Sequence, residues 1–261
     1  IQATSAGLDN YFFPELRRSD ITLTNLSGIY SDVIADHVFA FLLTFARGMH
    51  IYHARKLARV WEKGVDVIHL GSKTLGVIGL GGIGLEVCKR GHAFGMRVIG
   101  LDPAPKDRPD YVEAIYDPED LRVMLADSDF VIICVPHTGE TEYMFGDDGL
   151  RAMKPGSILI NVGRGKVVDL AALTRHIESG HIGGAALDVY EEEPLPSDHP
   201  LWMMDEVLLT PHVAGISPEI QGRREDLIVE NARRFMNHEV LLNVVDKERG
   251  YVVAVRQTEF T

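Results

Sequence analysis

The sequence predicts an α/β fold, a doubly wound parallel sheet with a second, smaller and truncated domain beside it. Three observations predict it. From Lys73 onward, short β-branched runs alternate with segments of helical length. The runs are almost continuously apolar and do not alternate at every second residue, the pattern of strands buried on both faces. A glycine-rich turn joins the first of them to the first helix, as in a sheet whose strand ends hold a phosphate ligand.

Taken in order, the elements begin with a helix ahead of the sheet. Ser31 is placed to cap it, and it runs through about residue 53 with Ile34, Val38, Phe41, Leu42 and Phe45 at helical spacing. Val33, Phe39, Leu43 and Ala46 fill its other faces, so it is expected to be buried nearly all round, in a subunit interface or at the centre of a monomer; these residues favour neither. The runs KTLGVIGLG, RVIGLD, DFVIICVP, SILINVG, GGAALDVY and EVLLTPH read as strands, with IGLEVCKRGHAFG and DLAALTRHIESGH as helices between them. Right-handed crossovers then place helices on both faces of the sheet. A last helix over 218–237 carries the stripe EDLIVENARRFM and precedes a short apolar tail, VLLNVV. The expected division is a dinucleotide-binding domain over residues 30–216, with residues 1–29 and 217–261 as two pieces of the smaller, substrate domain.

Composition excludes several classes of function. The 261 residues are 46% hydrophobic and 25% charged, ordinary for a globular protein with room for two domains. With 38 acidic against 26 basic residues the net charge is −12, so no nucleic acid or anionic membrane partner is expected. Any anionic ligand must be met by local positive groups. The longest apolar run, VIADHVFAFLLTFA at residues 33–46, is shorter than a bilayer span and is interrupted by Asp36 and His37. The two cysteines, Cys88 and Cys134, form no metal-ligand pattern and read as small core residues of a reducing, cytoplasmic compartment; no metal site is expected.

Gly79, Gly81 and Gly84 form a G-x-G-x-x-G pattern directly after one strand and at the start of a helix. The first glycine makes the tight turn, the second lets a pyrophosphate approach, and the third lets helix and strand pack closely. The amides of Gly82 and Ile83, at the positive end of the helix dipole, face the phosphates. Asp102 ends the next strand, 23 residues after Gly79, near the ~20 expected of an acid that binds the adenosine ribose. A carboxylate there repels a 2′-phosphate, so the cofactor expected is NAD, held on a Rossmann-type sheet.

Three later residues narrow the chemistry. Arg164, Glu193 and His212 each lie just beyond an expected parallel strand, at the edge where such sheets bind ligands. A hydride donor needs a carbonyl acceptor, a group that grips the acceptor, and an acid for the nascent alkoxide. Arginine stays charged and grips a carboxylate with a planar fork. Histidine exchanges protons near neutral pH, and a carboxylate neighbour orients its ring and favours imidazolium. Singly, each residue also has a plain structural reading, and His199 in SDHPLW is a nearby decoy. His212 is preferred because it directly follows EVLLT, whereas His199 sits in a proline-rich loop.

In order and spacing, TLGVIGLGGIG, FGMRVIGLDP, MKPGSILINVGRGKVVD, GGAALDVYEEEPLP and VLLTPHVAG resemble the D-isomer-specific 2-hydroxyacid dehydrogenase family over nearly the whole chain. The resemblance implies an NAD-dependent oxidoreductase acting on a small D-2-hydroxy or 2-oxo acid, of the glyoxylate or hydroxypyruvate type. It makes Arg164 the substrate-binding arginine, Glu193 the acid partner and His212 the acid/base. It implies that Asp188 holds the nicotinamide carboxamide and that Val135, Pro136, Val162 and Gly163 line the cofactor groove, with Ala214 and Gly215 also among the cofactor-binding positions. SAGLDN resembles the substrate-carboxylate loop, in which amides near Ala6 and Gly7 reach the anion. A homodimer is implied as well.

Two departures accompany the match. Family members carry several tens of residues ahead of SAGLDN, so the substrate lobe is expected to be reduced or only partly covered. VPHT carries His137 where the family often has an apolar residue, read as an adenine-side variation. Beside the enzyme stand an NAD(H)-responsive binding protein like the family's corepressor members, and an inactive cofactor-binding fragment.

Overall fold

The computed structural model describes residues 1–8, 11–104 and 107–252. Asp9 and Asn10 of the SAGLDN loop, and residues 253–261 of the expected second piece of the smaller domain, lie outside the described residues. The chain opens with α1 (Pro14–Arg18), α2 (Ser31–Arg47) and α3 (Met49–Leu57). There follow β1 (Thr74–Ile78), α4 (Gly82–Ala93), β2 (Arg97–Leu101), β3 (Ala114–Tyr116), α5 (Leu121–Asp127) and β4 (Phe130–Ile133). The remainder is α6 (Asp147–Ala152), β5 (Ile158–Asn161), α7 (Leu170–Glu178), β6 (Gly184–Leu187), β7 (Val207–Leu209) and α8 (Ile220–Met236).

The seven strands form one parallel sheet in the order β3-β2-β1-β4-β5-β6-β7. Strand order reverses between β1 and β4, which opens a crevice at their carboxyl ends. All six expected strands are present. β3 is an addition: its three half-buried residues at the sheet edge are too short to stand out as an apolar run.

Residues of each strand divide between two cores by the period-two pleat. Leu75, Val77, Phe130 and Ile132 pack with Val38 and Leu42 of α2 and Val87 of α4. Ile78, Val131, Ile133 and Leu159 pack on the opposite face with Leu125 of α5 and Leu173 of α7. Each buried Leu or Ile contributes about 1.5–3 kcal/mol relative to exposure.

The single helix expected over 31–53 is two. Gly48 takes a left-handed φ of 59° that ends α2 as its C-cap, and α3 starts beyond it. Ser31 is the first helical residue and not the cap; Tyr30 takes that position without a capping hydrogen bond. Nor is α2 buried all round in the single chain, since Asp36, Ala40 and Arg47 are exposed.

The first residues of the chain meet the last described ones. Thr24 bridges both Gln2 and Val244. Ala3, Leu8, Leu16 and Leu23 share a small core with Val245 and Val252, while Leu26 and Ile29 share another with Leu227 and Leu242. Arg223 of α8 ties this part to α2 by a bidentate bond to Asp32 at 2.6 and 2.8 Å. Among the described residues, no helix is long and apolar enough to cross a membrane.

Candidate active site

The glycine turn sits at the carboxyl end of β1, on the crevice. Gly79 has a φ of 89°, and a Cβ on Gly84 would lie 1.9 Å from the Gly79 carbonyl oxygen, so no other residue lets α4 start so close to β1. A Cβ on Gly81 would meet nothing within 4 Å; this residue faces open space, as a cradle for a phosphate must. Asp102, at the end of β2, is buried and accepts from the Leu80 amide at 2.8 Å and the Ala104 amide at 3.0 Å. Through these two bonds the carboxylate braces the turn. A cleft of about 960 Å³ runs along these residues, lined by Gly79, Gly81, Gly82, Asp102, Val135 and Pro136. Its size, its open glycine cradle and the acid at the end of β2 fit a dinucleotide.

Of the other cofactor positions expected from the sequence, Ile83 and Gly84 form the first turn of α4 behind that cleft. Val162 and Gly163 continue β5, with Gly163 packed so closely on Val135 that a Cβ would lie 2.6 Å from the Val135 carbonyl oxygen. Ala6 and Gly7 lie by the chain-end core, tied through the Ala6 carbonyl to Asn25 and through the Gly7 carbonyl to Ser5.

Arg164, Glu193 and His212 follow β5, β6 and β7, three strands adjacent in the sheet, at the same edge. Buried Asn161 braces the first of these ends, accepting from the Gly163 amide at 3.0 Å and donating to the Arg164 carbonyl at 2.9 Å. The Arg164 guanidinium donates to the Gly163 carbonyl at 2.7 Å. Gly165 allows the next contact: a Cβ there would lie 1.8 Å from the Tyr190 carbonyl group, so the turn after Arg164 lies directly against the segment carrying Glu193. Glu193 accepts from the Tyr190 amide at 3.0 Å through one oxygen and from His212 Nδ1 at 2.7 Å through the other. That bond sets the His212 tautomer and leaves Nε2 for other chemistry. His199, the decoy, only caps its own loop, accepting from the Leu201 amide.

His212 has a φ of 54°, the left-handed region that non-glycine residues seldom occupy. The carboxylate of Asp188, 2% exposed, accepts from the amides of the next two residues, Val213 at 2.8 Å and Ala214 at 2.9 Å. Gly215 follows against the Tyr30 ring. The Tyr190 hydroxyl shares its hydrogen between the Leu187 and Thr210 carbonyls; burial, then the Asp188 charge, pushes this phenol well above its usual value, so it serves structure and not proton transfer.

Sequence reasoning missed residues that complete the setting. Ser27, Arg223 and Asn243 line the cleft, although they come from chain segments more than 190 residues apart. Thr210 and His37 stand behind Asp188, and only the position of Thr210 beside His212 hinted at a role. His137 lies 3.5 Å from Glu142 and is absent from the cleft lining. Among the described residues, no group of His, Cys, Asp or Glu is arranged to hold a metal ion.

A phosphate-cradling turn at the switch point, with a carboxylate-oriented imidazole beyond a strand end on the same side of the sheet, defines a dinucleotide-dependent oxidoreductase. Residues 39–214 match the family model of the D-isomer specific 2-hydroxyacid dehydrogenase, NAD binding domain. The chain is 37% identical to a glyoxylate reductase of Korarchaeum cryptofilum, covering 98% of this chain and 77% of that one. A D-isomer specific 2-hydroxyacid dehydrogenase from Xanthobacter autotrophicus, solved with NADPH and MES, superposes with a TM-score of 0.86 at 35% identity, over 96% of this chain and 78% of the other. The NADPH-dependent glyoxylate/hydroxypyruvate reductase of Sinorhizobium meliloti, solved with NADP and sulfate, gives 0.86 at 27% identity, over 96% and 79%. The chain belongs to the D-isomer-specific 2-hydroxyacid dehydrogenase family. It is a hydride-transferring oxidoreductase of 2-hydroxy acids, and this similarity favours the enzyme over the binding-protein and inactive-fragment readings.

Proposed function

We propose that the chain is an NAD-dependent reductase of a small 2-oxo acid, glyoxylate or hydroxypyruvate, with His212, Glu193 and Arg164 as its catalytic residues. The observation that carries the reading is the 2.7 Å bond between His212 Nδ1 and Glu193, one strand away from Arg164. Bound NADH supplies the hydride that reduces C2 of the acid. Arg164 grips the carboxylate and the carbonyl oxygen, and the amides near Ala6 and Gly7 meet the carboxylate from the other side. His212 Nε2 gives its proton to the carbonyl oxygen as negative charge develops there, and Glu193 keeps the ring aimed through the exchange.

The cofactor would be held by Gly79, Gly81, Gly82, Ile83 and Gly84 at its phosphates, by Asp102 at the adenosine ribose and by Asp188 at the nicotinamide carboxamide, with Val135, Pro136, Val162 and Gly163 lining its groove and Ala214 and Gly215 as further cofactor-binding positions. Asp102 supports NAD over NADP in this chain, although the solved relatives named above hold NADPH or NADP. Residues 30–216 form the cofactor domain, and 1–29 with 217–261 belong to the substrate domain. A homodimer in the cytoplasm is the assembly proposed: Leu57, Val60, Val67 and Trp61, the last 97% exposed, offer an apolar surface around α3 that a second copy would cover.

The test is the rate of NADH oxidation against glyoxylate, hydroxypyruvate, pyruvate and a bulky aromatic 2-oxo acid, with NADPH in parallel. Turnover of the two small acids with NADH ahead of NADPH supports the reading. Preference for NADPH overturns the role of Asp102, and preference for the bulky acid overturns the substrate class. Sedimentation that shows a monomer at micromolar concentration would remove the dimer.

A further inference from the structure

We propose that His37 and Thr210 are positioning residues for His212, acting through Asp188 to hold the strained turn from which the imidazole projects. The inference deepens the reading of His212 as proton donor and rests on it.

The need for such a device is local. A non-glycine residue seldom occupies the left-handed region, and His212 sits there at a φ of 54° in an exposed turn. Its own amide reaches only the Thr210 carbonyl, at 3.0 Å. Glu193 orients the ring, but nothing in that bond fixes the backbone. The backbone is fixed by the Asp188 carboxylate, which gathers the two succeeding amides.

A clamp of this kind works only if the carboxylate itself cannot swing. Its backbone is set by the end of β6, and its Oδ1 takes a further hydrogen bond from the Thr210 hydroxyl at 2.6 Å. Having donated its one hydrogen, that hydroxyl is an acceptor toward His37 Nε2, 3.1 Å away. His37 therefore carries its proton on Nε2. It lies on α2, its ring edge-on to Phe41 with centroids 4.5 Å apart, and burial pushes it below its usual value, with the Asp188 charge pulling the other way. The order His37, Thr210, Asp188, Val213 and Ala214 amides thus runs from a helix packed in the core to the turn of the proton donor. Neither His37 nor Thr210 touches the reacting atoms; each acts through the next group.

Displacement of a catalytic group by about 1 Å can cost on the order of 100-fold in rate, so loosening the clamp reads out in chemistry. Thr210→Val keeps the shape and removes both hydrogen bonds. The expected result is a kcat lower by roughly 10- to 100-fold and a larger solvent deuterium isotope effect on kcat, because proton delivery by a misplaced His212 becomes limiting. Thr210→Ser, which keeps the hydroxyl, restores kcat and the isotope effect. At the other end of the chain of bonds, His37→Leu repeats the loss in weaker form, and His37→Gln, whose amide reaches the position of Nε2, recovers it. This pair decides the matter if Thr210→Val does not fold.

Wild-type kcat in Thr210→Val, or a fall without change in the isotope effect, overturns the inference. An active His212→Ala overturns it together with the reading of the site; an inactive His212→Ala beside an unimpaired Thr210→Val overturns the inference alone.

Discussion

Glu193 reaches His212 Nδ1 at 2.7 Å while its second oxygen is held by the Tyr190 amide at 3.0 Å. The carboxylate is pinned from behind, so the ring it holds cannot turn without breaking a charge-assisted bond. Glu193→Gln keeps the size and loses one acceptor, since a side-chain amide presents one oxygen and one NH2 group. The expected outcome is a kcat lower by about 10²-fold, the scale of general acid catalysis, with NADH affinity unchanged by fluorescence titration. A kcat within twofold of wild type would sink the role.

Arg164→Lys tests the fork. Lysine keeps the charge but presents a compact ammonium that cannot make two parallel bonds to a carboxylate. Loss of one charged hydrogen bond, about 1.5–3 kcal/mol, corresponds to a kcat/KM for the 2-oxo acid lower by roughly 10- to 100-fold. Unchanged steady-state constants would contradict it.

Gly165→Ala tests the close approach of two strand ends. The new methyl would meet the Tyr190 carbonyl group at 1.8 Å, and backbone cannot yield as a flexible side chain does. An overpacking cost of about 1–3 kcal/mol or more lowers Tm by at least about 2–4 °C for a chain of this size. Activity falls further than stability, because the same shift separates Arg164 from the Glu193 segment. A variant with wild-type Tm and turnover would show that the turn has room.

The Asp32–Arg223 pair sets a pH dependence. Hydrogen bonds from Arg223 hold the Asp32 carboxyl below its ordinary value, with burial opposing. A carboxyl depressed by folding stabilises the native state above its unfolded value, about 3.9, and that contribution is lost as pH falls through the lower folded value. Asp32→Asn therefore lowers Tm at pH 7, by about 2–4 °C for a half-exposed pair worth ~1 kcal/mol. The difference from wild type narrows below about pH 4. A gap that persists undiminished at pH 3 would assign the effect to packing.

Six strands, the glycine turn and the placing of Asp102, Arg164, Glu193 and His212 past strand ends were legible because each is written locally: as a continuous apolar run, as glycines at fixed spacing, or as a polar residue directly past a strand. β3 was not, since three half-buried residues at an edge carry no period. The break at Gly48 was hidden because apolar residues continue across it at helical spacing, and a lone glycine inside such a pattern does not by itself announce a left-handed cap.

The strands, the glycine turn and the polar residues past the strand ends could thus be read from the chain alone, since pattern and side-chain chemistry are local properties. How those residues are held came from the packing of distant segments. It laid Gly165 on Tyr190, put Asp188 under the turn of His212, and brought His37 within 3.1 Å of Thr210, 173 residues further along. Hydrogen bonds of that reach depend on how the helices and strands pack, and packing is settled by the whole core at once.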